Sequence, residues 1–223
     1  MMRFAIALAV LLLGATVTES ADFDGVWQVI EPVVQLKTTE GTEPPLKPEA
    51  LRTYRARSAQ RNAKDRAFDA TLQCKPMGEP RTDYDPEGGP FEILVNPKVV
   101  AFGYTWNRMI RFVYINSASP DPVGPTYYGT ANAHWQGKSL VIEARGFHDQ
   151  TLLDAAGMPH SEQLKLTERY TLLKQGRELQ EVLRFDDPGV FTRPWQTTVL
   201  YRKLPEARIQ EDVCIERLGI TSY

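Results

Sequence analysis

From residue 91 onward the chain is a succession of short alternating apolar runs divided by turn residues, and this spacing restricts the fold more than any other feature. Candidate strands cover 91–96, 99–105, 109–116, 127–135, 139–147, 164–173, 178–186, 195–203 and 208–214. The breaks carry turn chemistry: Asn96-Pro97, Trp106-Asn107-Arg108, Gln136-Gly137-Lys138, residues 174–177 and Asp187-Pro188-Gly189. Short connections without intervening helices predict an antiparallel meander. One earlier strand is expected near 22–30, where Phe23, Gly25, Trp27 and Val29 share a face by the period of two. A meander of about ten strands tends to close, because closure removes exposed edges. The expected fold is mainly β, an antiparallel up-and-down β-barrel of about 8–10 strands.

Residues 46–90 read as an insertion into this pattern. Prolines at 32, 44, 45 and 48 mark a loop, and Pro48 with Glu49 suits the first turn of a helix. The alanine- and arginine-rich stretch 51–70 predicts one outer α-helix, and 72–90, with four further prolines, reads as irregular. Arg52, Arg55, Arg57, Arg61, Lys64 and Arg66 make a solvated helix face, with an anionic partner as the alternative.

Residues 1–21 have the form of a signal peptide: Arg3, an apolar run over 4–13, then Glu19-Ser20-Ala21. Cleavage after Ala15 or Thr18 is an alternative to cleavage after Ala21. The apolar run is too short to span a bilayer, which takes about 20 residues. Residues 22–223 are then a single barrel domain, periplasmic or secreted, with no membrane span. The full chain's 26 basic and 28 acidic residues, a balance unchanged by loss of Arg3 and Glu19 together, argue against a general nucleic-acid surface. In an oxidising compartment the two cysteines, Cys74 and Cys214, are expected to pair. Closing so long a loop contributes roughly 4–5 kcal/mol in the chain-entropy picture.

Gly25-Val26-Trp27 in the first strand resembles the Gly-x-Trp pattern of lipocalins and the wider calycin group. That resemblance implies a Trp closing one barrel end under an Arg of the last strand, for which Arg202 is the counterpart. The chain also resembles a family of uncharacterised exported proteins of soil bacteria. The likeness runs through Phe91-Glu92-Ile93, His134-Trp135-Gln136-Gly137, Gly146-Phe147-His148-Asp149, 157–161 and Thr167-Glu168-Arg169. It implies no particular chemistry.

Chemistry is expected in three places. The connection 146–163 holds His148 and His160 with Asp149, Asp154 and Glu162. Such a loop can brace itself, supply acid–base groups near neutrality, or ligate a metal. The metal pattern lacks helical zinc spacing, and no metal or cofactor is expected. In 164–172 the even positions are Leu164, Leu166, Glu168, Tyr170 and Leu172, which puts Glu168 on the apolar face. A carboxyl group there must be paired, hydrogen-bonded or protonated, with Arg111 or Arg145 as the candidate partner. His134 shares a face with Thr130, Asn132 and Gln136, either solvent or lumen. If it faces inward, His134, Glu168 and Arg111 meet in one cavity, and Tyr104, Trp106, Tyr128 and Tyr170 are its aromatic walls.

These readings combine into an exported barrel that binds a partly apolar or aromatic small molecule. Acid–base conversion of isomerase, lyase or hydratase type would use His160 or His148 as base, Glu168 as acid and Arg111 as anion stabiliser. The alternatives are a non-catalytic carrier and an envelope interaction protein.

Overall fold

The computed structural model describes residues 22–117 and 124–219; residues 1–21, where a signal peptide is expected, lie outside them. Nine strands close into a barrel in chain order: β1 (Gly25–Val29), β2 (Phe91–Val95), β3 (Val99–Tyr104), β4 (Ile110–Ile115), β5 (Thr130–Gln136), β6 (Ser139–Arg145), β7 (Lys165–Leu173), β8 (Glu178–Asp186) and β9 (Trp195–Lys203). The barrel shuts where β1 pairs with β9, Trp27 opposite Lys203 and Val29 opposite Tyr201. A mainly β closed barrel, mostly antiparallel, is thus the observed architecture, and its form fits a calycin-like barrel.

Alternation sets the interior. Along β8, Leu179, Glu181, Leu183 and Phe185 are buried while their neighbours are partly open, and β3 and β9 repeat the pattern. Trp27, Phe91, Ile93, Phe102, Leu140, Ile142, Leu166, Phe185 and Tyr201 join one apolar core through the lumen. These side chains are at or near zero exposure, so the barrel is packed rather than hollow.

Three expectations are corrected. β4 and β5 pair parallel, through Tyr114–Asn132 and Ile115–Ala133, so the meander is not antiparallel throughout. A parallel neighbour needs a crossover, which the long connection 116–129 supplies. The run 208–214 forms no strand and leads into the short helix Cys214–Arg217. Arg202 does not cover Trp27: alternation turns it outward toward Gln28, and the Lys203 ammonium sits 5.4 Å from the indole centroid instead.

Helix α1 (Pro48–Asn62) lies outside the sheet, shorter than the 51–70 stretch suggests at its C-terminal end. Its Tyr54 hydroxyl donates to Asp154 at 2.7 Å. Cys74 and Cys214 are disulfide-bonded with Cα atoms 5.6 Å apart, joining the insertion to the C-terminal segment. No helix among the described residues is long and apolar enough to cross a membrane.

Candidate functional site: a buried carboxyl–tyrosine cluster

The alternation that fills the lumen with apolar groups also carries two glutamates inward. Glu168 on β7 and Glu181 on β8 are both fully buried. Across the barrel, Arg111 on β4 reaches Glu168 with both terminal nitrogens, at 2.8 and 2.6 Å. This two-pronged contact is the arrangement of a carboxylate on a guanidinium. The Arg111 side chain also lies 5.6 Å from the Phe102 ring centroid.

Two further carboxyl groups enter from the insertion. The short helix α2 (Arg81–Tyr84) and the residues before it cover the lumen and place Glu79 and Asp83 inside. Three anchors hold this segment. Arg81 is buried and bonds Asp69 at 2.7 Å and Asp85 at 2.6 Å. Although burial raises a carboxyl group, Arg81 and Thr71 hold the Asp69 carboxyl well below the usual range. The Tyr84 hydroxyl donates to the Leu153 carbonyl at 2.6 Å. At Gly78, φ is +80° and a Cβ would stand 2.6 Å from Thr151 Cγ2 and 2.7 Å from the Tyr127 carbonyl oxygen, so only glycine fits this crossing.

Inside, tyrosine hydroxyls meet the carboxyl groups one by one. Tyr104 bonds Glu79 Oε1, and Tyr201 donates to Glu181 Oε2 at 2.5 Å. The Tyr170 hydroxyl lies 3.0 Å from Asp83 Oδ2 and 3.1 Å from Glu168 Oε1. A phenol has one proton and cannot donate to both. With Glu168 held by Arg111, the consistent arrangement has Tyr170 donating to Glu168 and a protonated Asp83 donating to Tyr170.

The electrostatics agree. Burial, and then the charges of Glu79 and Glu181, push the Asp83 carboxyl well above the usual range. Burial, reinforced by Glu168 and opposed by Arg111, pushes Glu79 up to about 7. Burial together with the Glu168 charge pushes Glu181 up to about 8. Four buried carboxyl groups thus gather around the Arg111 guanidinium. Glu79 Oε2, Asp83 Oδ1 and Glu181 Oε1 have no hydrogen-bond partner there.

The aromatic residues divide. Tyr104 and Tyr128 stack with centroids 5.5 Å apart, and Tyr170 packs 5.7 Å from Phe102, so these three border the cluster. Trp106 is buried elsewhere, under the Arg217 guanidinium at 3.8 Å. The histidines stand outside the cluster as well. His134 pairs in register with Val141 on the outward face of β5, where Thr130 and Asn132 line a surface cleft with Lys165 and Arg184. His148 stacks on Tyr127, with centroids 5.6 Å apart, and its Nδ1 lies 3.4 Å from Asp149. His160 is buried, its Nε2 2.6 Å from Thr151 Oγ1 and its Nδ1 3.1 Å from the Ser161 carbonyl oxygen. Burial lowers the His160 pKa, which keeps the ring neutral. Among the described residues no hydrogen bond or ion pair joins a histidine to Glu168 or Arg111.

Asp154 braces the loop. It accepts from the backbone of Leu36, Ala156 and Met158, each at 3.0 Å, besides Tyr54. Glu79, Asp83 and Glu181 are the members of the cluster that sequence reasoning missed. Glu181 was within reach, because Leu179, Leu183 and Phe185 give its strand the same alternation that exposed Glu168. Compared with family models, curated proteins and solved structures, the chain matches none.

Proposed function

We propose that the protein is an exported small-molecule-binding barrel whose site is the carboxyl–tyrosine cluster of the lumen. One observation carries this reading: four fully buried carboxyl groups face a single guanidinium, with three of their oxygens unpartnered. Burying ionisable groups in such excess lowers stability, and apolar side chains of similar volume would pack the same space at less cost. Perturbed groups gathered in this way mark functional sites. The ligand binds at this cluster. It lays a partly apolar or aromatic body against Tyr104, Tyr128 and Tyr170 and presents a donor-rich group to the acids.

Acid–base conversion of that ligand is part of the proposal, and the same geometry supports it. The Asp83–Tyr170–Glu168 chain passes a proton from an acid to a carboxylate through one hydroxyl. Arg111 stabilises negative charge developing beside Glu168. This suits a cofactor-independent isomerase, lyase or hydratase. In this arrangement His148, His160 and His134 shape the loop and the outer face rather than moving the proton.

Native mass spectrometry of the protein purified from its host tests the reading. The expected spectrum shows the chain with a non-covalent organic species that is lost in Glu168→Gln. A bare chain under gentle conditions overturns it.

A second reading, an envelope interaction protein, is favoured by one observation. On the outer face of β2 and β4, Leu94, Ile110, Phe112 and Tyr114 are 51%, 57%, 58% and 48% exposed. Leu94 and Phe112 flank Ala101 in register, so these residues form a contiguous apolar strip on a packed barrel.

A further inference from the structure

The acids that enter the lumen from the insertion do more than hydrogen-bond to tyrosines. Oxygens of Glu79, Asp83 and Glu168 all lie within 4.8 Å of one another, and all three residues are buried. Oxygens on opposite sides of a calcium ion are about 4.6–5.2 Å apart, so a sphere of that size accommodates the set. The donors are oxygens only, with no imidazole or thiolate in the group, which selects a hard cation over zinc or copper.

Proximity of acids alone would not make a site. The second observation is a set of orphaned oxygens. Glu79 Oε2 and Asp83 Oδ1 have no hydrogen-bond partner, and neither does Oε1 of Glu181, which lies outside the group of three. Glu181 sits in register opposite Tyr170, whose hydroxyl contacts both Asp83 and Glu168, and it is fully buried. A buried oxygen with no donor to accept from is rare in a folded protein and calls for an explanation. Burial keeps these oxygens from bulk solvent, since the residues have essentially no accessible surface. Charge permits the ion: once it displaces the carboxyl protons, the four carboxylates and Arg111 together carry about −3, which a divalent ion brings to about −1. The guanidinium does not block the ion: Glu168 Oε1 accepts from Arg111 and Tyr170, but Oε2 accepts from Arg111 alone and keeps a second lone pair.

We propose that the lumen binds one hard divalent cation of calcium size through Glu79, Asp83 and Glu168, with Glu181 Oε1 as a further oxygen beside it. The site deepens the ligand-binding reading, since a bound cation supplies a Lewis acid next to Tyr170. Residues 77–84 carry two of the ligands and close the site, so the ion enters as the chain folds and its binding adds to stability.

The test uses the full chain with its disulfide intact, unfolded in guanidinium with chelator and refolded in metal-free buffer with or without CaCl2. Terbium serves as a second probe, because an ion beside Tyr104 and Tyr170 is sensitised by tyrosine excitation. The expected results are sensitised terbium luminescence saturating at one ion per chain, displaced by calcium, and a Tm raised by about 5–10 °C at calcium a hundredfold above Kd. Glu79→Gln and Asp83→Asn keep side-chain volume and relieve repulsion. Each is expected to fold and to weaken the ion more than about tenfold, as loss of a ligand requires. Absence of sensitised luminescence and of a Tm change in the native chain overturns the site. So does unaltered binding in either variant, with folding verified by circular dichroism. An organic adduct in the native mass spectrum alongside a negative ion titration removes the cation and leaves the ligand reading standing.

Discussion

Arg111→Met removes the one guanidinium in the lumen and exposes the energetics of the whole cluster. Methionine keeps much of the volume but abandons Glu168, which then has only Tyr170 to bond. Breaking a buried ion pair from one side costs about 3–5 kcal/mol, because the remaining charge stays buried without a partner. The abandoned Glu168 escapes that cost by taking a proton. A carboxyl group buried without a cation is less costly as the neutral acid, so the loss is small in acid and grows as pH rises past the ordinary carboxyl range of about 4.3. The variant is therefore expected to be close to the parent at pH 5 and about 3–5 kcal/mol weaker at pH 7.5. At this chain length that corresponds to a Tm lower by roughly 6–20 °C. Urea unfolding followed by tryptophan fluorescence at both pH values measures it. The double variant Arg111→Met with Glu168→Leu should recover most of the loss, since an apolar pair replaces a buried ion pair at little cost. A loss under about 1 kcal/mol at pH 7.5, or a loss equal at both pH values, would refute the pairing as the centre of the cluster.

Three further outcomes follow from other parts of the molecule. Cys214→Ser opens the long loop between Cys74 and Cys214 and should cost about 2–5 kcal/mol, read as a lower urea midpoint; an unchanged midpoint contradicts the clasp. His160 is expected to remain neutral at pH 6.5, because its ring is buried against Phe147 and Thr151. Its contribution to stability is present above about pH 6.5 and declines as pH falls below it, and NMR titration of the ring shifts would disprove this by a midpoint at or above that value. Phe112→Ser on the exposed strip should change stability by less than about 0.5 kcal/mol while reducing retention on phenyl resin; unaltered retention would discount the strip as a contact surface.

The fold was legible where the period of two was unbroken. Residues 164–173 and 178–186 became β7 and β8, and their alternation sorted lumen from solvent. The inward place of Glu168 was therefore readable in advance, with Arg111 one of two candidate partners beside Arg145, as was the Cys74–Cys214 link. The period could not reveal direction of pairing, which is why β5 emerged parallel to β4. Nor could it reveal what the irregular insertion would place in the barrel. Glu79 and Asp83 lie in a proline- and glycine-rich stretch whose course is set by the Arg81–Asp69 pair, the Gly78 crossing and the Tyr84 bond to Leu153. All three are tertiary contacts without a local signature. The histidines attracted attention because imidazole titrates near neutrality, yet their places follow from loop packing around Thr151 and Tyr127.

Infrared spectroscopy of the metal-free chain at pH 7 examines the central arrangement, in which Asp83 lends Tyr170 a proton inside a dry barrel. The spectrum should contain the carbonyl stretch of protonated carboxylic acid, one part of it titrating with Glu79 and Glu181 near pH 7–8 and another part lost in Asp83→Asn. Only ionised carboxylate bands at pH 7 would mean that water or charge has access to the lumen, and the arrangement described for Asp83, Tyr170 and Glu168 would be wrong.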